Sequence, residues 1–405
     1  MKKSKESKGN RLSRRSFIGS VAAAGAAAIG SGKLQAQDKE KPKPRPKRPD
    51  PDKVNTNIAD AAKVPRAEGA MPGKFPGVVS EVFHPAAVSG SKPDQEIAKA
   101  MLATAMISLT GKEDEKGAWK EFFSPEDRIG IKINPVAGKL LCNSHEMTHA
   151  IIDSLVEIGV PKSNIVLWDR REEQMKDCGF TEENYPGIKC IGTEYMIKDG
   201  EKEIWKGEDR LDKNHFYEFD IVGEYTEEVM PYMIHGGTKS YYTNILTQMV
   251  DKVINVPILK NAGRSVTLAM KNLAYGVTSN TMRGHKIWSR YIAEVCAFAP
   301  VRDKVVLNII DGLRGCYEGG PGAVARYIWN ANTVWIGTDP VAVDRVAWEK
   351  IFAKRVAEGI AAEEDRATKD RDLDQLVRSE KLGLGTYDRA KIDHRRTKLS
   401  EKEKA

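Results

Sequence analysis

Residues 128–168 constrain the architecture of this 405-residue chain more than any other stretch. Arg128–Asn134 (RIGIKIN) reads as a strand, and Asn164–Trp168 (NIVLW) as a second one. Between them, His145–Gly159 carries Ile151, Ile152, Leu155 and Val156 at the spacing of a buried helix face. Strand, helix and strand at this length make a parallel βαβ unit, because parallel neighbours need a long crossover. Further strands are expected at Val253–Val256, Lys304–Ile310 and Thr333–Ile336, with helices over Gln95–Ser108, Tyr241–Val250 and Pro340–Glu358. The expected fold class is α/β, a mainly parallel sheet flanked by helices. Residues 194–228 differ: Met196–Trp205 places an Asp-Gly turn between short apolar flanks, a hairpin signal, so a small antiparallel insertion is expected there.

The N-terminus carries a different kind of information. Ser13-Arg14-Arg15-Ser16-Phe17 resembles a twin-arginine export motif, and an Ala/Gly-rich apolar run follows to Ile29. That run is shorter than the roughly 18 residues of a bilayer span and fits a signal-peptide core. Ala36 can end a cleavage site. The reading is export to the periplasm or cell envelope by the twin-arginine machinery, with no membrane span in the mature chain. Residues 1–37 hold eight Lys/Arg and one acid, Glu6, which equals the whole chain's excess of +7. The remainder is neutral, so nucleic acid loses its electrostatic case as a partner. Residues 38–75 begin with alternating Pro and charge and read as a linker; 76–357 form the α/β domain; 358–405 read as a charged, solvated tail. The five cysteines form no CxxC pair, and no ferredoxin-type iron–sulfur motif is present.

Ligands of open parallel sheets lie beyond the carboxyl ends of the strands. Lys132, Asn134 and Lys260 fall at such ends. The sharpest motif is His145-Glu146-Met147-Thr148-His149, a formal HExxH. Histidines four apart share a helix face and can grip a divalent metal whose water the glutamate activates. His145, His149 and Asp311 are therefore candidate metal ligands, and His145 and Glu146 candidate catalytic groups. Asp311 opens a loop containing Gly319, Gly320 and Gly322, whose amides can approach an anionic cofactor closely. Lys271 and Asn272, read as lying on a loop, with His285 beyond, are candidates for holding a carboxylate or phosphate and for moving protons. Asp339 before Pro340 is an expected helix N-cap, and Asp344 near the core face needs a partner, for which strand-end Lys or Arg are candidates.

In this order the pieces resemble one family, domain of unknown function 362. They are Lys132-Ile133-Asn134-Pro135, Val256-Pro257-Ile258-Leu259-Lys260, Lys271-Asn272 with His285, Gly319-Gly320-Pro321-Gly322, and Thr338-Asp339-Pro340-Val341-Ala342-Val343-Asp344. The resemblance runs from about Ile129 to Phe352 and implies a fold and a set of site positions but no reaction. Some members carry ferredoxin-like cluster segments; this chain lacks those cysteines. The leading expectation is an exported cofactor- or metal-binding enzyme acting on a small anionic ligand. A metallohydrolase using His145-Glu146-His149 is one alternative, and a non-catalytic periplasmic binding or scaffold protein is another.

Overall fold

A computed structural model describes residues 49–263, 265–363 and 373–400. The twin-arginine segment, the first part of the Pro-rich stretch and the last five residues lie outside the described residues. Strands β1 (Val78–Phe83), β2 (Val88–Ser89) and β3 (Lys92–Pro93) precede helices α1 (Gln95–Thr110) and α2 (Glu115–Lys120). Then come β4 (Ile129–Lys132), α3 (His145–Glu157), β5 (Ile165–Arg171), α4 (Glu172–Asp177), β6 (Lys189–Asp199) and β7 (Lys202–Lys206). A separate pair follows, β8 (Leu211–Gly223) and β9 (Gly237–Thr243), and then β10 (Lys252–Asn255), β11 (Ile258–Ala262) and β12 (Ser265–Thr267). The chain finishes with α5 (Ala269–Gly276), α6 (Trp288–Ala297), β13 (Val305–Cys316), β14 (Ile328–Gly337), α7 (Pro340–Ala357), α8 (Asp374–Lys381) and β15 (Asp393–Lys398).

Eleven strands form one sheet in the order β15-β1-β14-β13-β10-β4-β5-β6-β7, with β11 and β12 attached beside β13. The centre, β13-β10-β4-β5-β6, is parallel throughout. Antiparallel pairing enters through β14, between β13 and β1, and through the β6–β7 hairpin, where Met196 faces Trp205. The fold is thus α/β with a mainly parallel sheet and small antiparallel additions. Both faces of the sheet are covered, and the strands show it residue by residue. In β5, Ile165 and Leu167 join the apolar cluster of α1–α3, while Val166 and Trp168 join that of α5–α8. Two buried faces explain why NIVLW is a continuous apolar run instead of an alternating one.

Two expectations are corrected. Tyr241–Val250 is not a helix: Tyr241–Thr243 finish strand β9, and only Ile245–Met249 turn helically, as one π turn. The β-propensity of Tyr-Tyr-Thr, paired across to β8, outweighs the helical spacing of the residues that follow. The region after Glu358 is not simply a solvated tail. Helix α8 buries Gln375 and Leu376, and β15 pairs in parallel with β1 from Val78↔Asp393 to Phe83↔Lys398. Without it β1 would be an open edge of the sheet. His394 reaches Glu81 at 2.8 Å, so a charged strand is held partly by its charges.

Candidate functional site

From β4 the chain winds outward to β5 and β6; from β10 it winds the other way to β13. The strand order therefore reverses between β4 and β10, and at such a switch point the loops leave in opposite directions and open a crevice. Lys132 and Asn255, the last residues of β4 and β10, are register partners at this reversal. A cavity of about 190 Å³ opens there, lined among others by Lys132, Asp169, Lys260, Lys271, Asn272 and His285.

Lys132 is buried, and its ammonium donates to Asp169, to the Ile133 carbonyl at 2.8 Å and to Asn272 Oδ1 at 3.3 Å. Burial pulls its pKa down, against the pull of Asp169 upward. Gly276 makes room for it: a Cβ there would overlap Lys132 Cε and Nζ. Lys260 is equally buried, yet its one hydrogen bond among the described residues goes to Asn134 Oδ1, at 2.8 Å. Burial first, and then the charge of Lys271, lower its pKa to about 7. Lys271 is half-buried, and its ammonium has no hydrogen bond or ion pair among the described residues; it lies 5.9 Å from the Tyr275 ring, and burial lowers its pKa to about 8. His285 packs tilted against Tyr275, ring centres 4.5 Å apart, and donates from Nδ1 to the Thr281 carbonyl at 3.3 Å. Burial, then Lys271, push its pKa down to about 4, so the ring is neutral with Nε2 as an acceptor.

A run of amides fixes these groups. Asn134 Nδ2 donates to Asn272 Oδ1, Asn272 Nδ2 to Asn255 Oδ1, and Asn255 Nδ2 to Asn308 Oδ1, at 2.8, 2.8 and 2.9 Å. Every amide in this line points the same way, so the acceptor presented to Lys260 is set from the interior of the sheet. Asn255 and Asn308 went unread in the sequence, although an amide inside VINVP or VVLNII has to find a buried partner and so carries a signal. Gly276 gave none. Lys271 and Asn272 lie in the first turn of α5 and not on a loop. Asp344 accepts from the Ala269 and Met270 amides at 2.6 and 3.0 Å, satisfying the open end of that helix. Its partners are thus backbone amides and not the strand-end cations. Asp339 caps α7 as expected, accepting from Val341 and Ala342.

The balance of charge is lopsided. Lys132, Arg170, Arg171, Lys260 and Lys271 line the cavity, and among the described residues Asp169 is its one lining carboxylate. Glu194 pairs with Arg170 and Arg171, each at 3.3 Å, from outside the lining. Thr267 lines the cavity with a buried hydroxyl that has no hydrogen-bond partner among the described residues. The arrangement suits an anion carrying further acceptors.

The histidine motif is spent differently. His145 begins α3, and its Nε2–H donates to the Cys178 carbonyl at 3.0 Å while Nδ1 accepts from the Tyr185 hydroxyl at 2.6 Å. Neither ring nitrogen keeps a lone pair for a metal. His149 stacks on Tyr185 at 4.7 Å. Asp311 accepts from Ser144, at its amide (2.7 Å) and hydroxyl (2.9 Å), so it braces the start of α3. Glu146 and Asp311 border a separate hollow with Arg314 and Lys139. Among the described residues no three His, Cys, Asp or Glu side chains come together as a metal set. The side chains of His145, His149 and Asp311, expected as a metal group, are engaged in hydrogen bonding and stacking. In the 311–322 loop, Pro321 lines the crevice cavity, whereas Gly319, Gly320 and Gly322 do not. Gly320 packs on the Asn261 carbonyl, where any Cβ would overlap it.

A family model described as a domain of unknown function (DUF362) matches residues 211–349. The matched segment includes Lys260, Lys271, Asn272, His285 and Asp344, while Lys132, Asn134 and Asp169 precede it. A crystal structure of a Thermotoga maritima protein from a structural genomics consortium is similar at 9% identity and a TM-score of 0.35. The likeness covers 66% of this chain and 60% of that one. No curated protein matches the chain.

Proposed function

We propose that the crevice between β4 and β10 receives a small anionic ligand, and that the protein works on or with that ligand after export by the twin-arginine route. One observation carries the first part: Lys260 and Lys271 share one cavity with no carboxylate partner among the described residues, while Lys132 takes Asp169 for itself. Two such cations repel each other in a low-dielectric site, and an anion between them relieves the repulsion. Neutral His285 and the free Thr267 hydroxyl supply an acceptor and a donor beside it. A thermal-shift series with inorganic phosphate, malonate and pyruvate tests the reading. At least one anion is expected to raise the melting temperature, and Lys271→Ala to weaken that anion roughly tenfold or more. No shift with any of them, or an unchanged affinity in the variant, contradicts it.

Export rests on Arg14-Arg15 and the apolar run after them. Replacing both arginines by lysine is expected to strand the protein in the cytoplasm, read by cell fractionation. Continued arrival in the envelope would refute this route.

A further inference from the structure

We propose that Lys260 is an imine-forming amine and that the ligand is a small 2-oxo acid or another carbonyl-bearing anion. This rests on the anion-binding reading above and deepens it. The observation behind it is a contrast between two buried lysines on the same crevice. Lys132 is an ion-paired structural cation, held by Asp169 and two further acceptors. Lys260 has one neutral acceptor, the Asn134 amide oxygen, and a cationic neighbour in Lys271. A buried amine with no carboxylate in hydrogen-bonding reach and a positive neighbour gives up its proton readily, and the neutral amine is the nucleophile.

The surroundings supply the other parts. Lys260 and Thr267 are cross-strand partners in the β11–β12 pair, so the unpartnered Thr267 hydroxyl sits beside the amine. Lys271 is placed to hold the carboxylate and to act as a proton donor. The Asn134–Asn272–Asn255–Asn308 line holds the amine in place by accepting one of its hydrogens.

The step balances without any co-reactant. The neutral Lys260 nitrogen attacks the carbonyl carbon, and the C–O π pair moves onto oxygen. That oxygen takes up a proton as nitrogen releases one, giving a carbinolamine hydrogen-bonded to Thr267. A second proton, from the Lys271 ammonium, lets the hydroxyl leave as water. The nitrogen lone pair closes the C=N bond, and the resulting iminium lies opposite a neutral Lys271. Hydrolysis reverses each step.

Borohydride reduction tests this on the full, unaltered protein. It is incubated with pyruvate, treated with sodium borohydride and mapped by peptide mass spectrometry, while thermal shift with pyruvate alone reads anion binding separately. A mass gain of one reduced pyruvate concentrated on Lys260, and reduced roughly tenfold or more in Lys271→Ala, is the expected result. A pyruvate-dependent thermal shift with no adduct on Lys260, or labelling spread evenly over surface lysines, overturns the imine and leaves the anion site standing. Neither a shift nor an adduct overturns both.

Discussion

The start of α3 and the start of α5 are both helix N-termini beside strand ends, and both carry functional-looking side chains. At α3 the side chains make a recognisable motif, His145-Glu146-Met147-Thr148-His149, and the interior consumes most of it. His145 is satisfied at both nitrogens, His149 is stacked, and Asp311 serves Ser144. At α5 the pair Lys271-Asn272 makes no motif beyond a family likeness. Yet Asn272 belongs to a buried amide line, and the Lys271 ammonium, on the same cavity, has no ion pair among the described residues. The difference shows that residue types at a promising spacing are not yet a site. A site needs polar groups whose hydrogen-bonding or charge capacity the protein leaves unused, in a place a ligand can enter.

That contrast can be broken experimentally. The largest effect is expected on the side of α5. Asp169→Asn keeps the shape of the cavity wall but leaves the buried Lys132 without its counter-charge, a loss of about 3 kcal/mol of stability. Urea unfolding reads it, and a midpoint unchanged from the unaltered protein would mean the ion pair holds nothing in place. The smallest effect is expected at α3. Glu146→Gln should alter stability by less than about 0.5 kcal/mol and leave anion affinity as it was. A metal-dependent hydrolysis that Glu146→Gln abolishes would restore the motif to the centre of the protein's chemistry.

Much of the framework was legible in the sequence, for reasons that differ by element. The 128–168 unit combined two short apolar runs with a helix of unambiguous phase, and its three elements stand where expected. Asp339 was readable as a cap because Asp before Pro admits few other arrangements. Strand β15 was hidden because DHRRTK, half-buried to exposed along its length, offers polar contacts such as His394 to Glu81 instead of apolar side chains. The site was half legible. Lys132, Asn134 and Lys260 were singled out at strand ends, and Lys271, Asn272 and His285 as a separate loop group, and the fold brings all six together at one crevice. What separates Lys132 from Lys260 was not legible. That difference lies in which lysine Asp169 reaches, and it depends on the register of β5 against β4.

Lys260 and Lys271 are amines without a carboxylate partner among the described residues, both close to losing a proton, and an anion entering beside them should recharge them; proton linkage tests this most directly. Their folded-state pKa values, about 7 and about 8, lie below those of free lysine. At these two sites the unfolded chain therefore binds more protons than the ligand-free fold between about pH 7 and 10, a contribution to stability that grows as pH rises through that window. A bound anion raises both pKa values again. Calorimetry near pH 8, with the anion giving the largest thermal shift and in two buffers of different ionisation heat, should show net proton uptake on binding, with affinity falling as pH rises. Lys271→Ala should lose most of that uptake. Binding without proton uptake, or uptake that survives Lys271→Ala in full, would contradict the account.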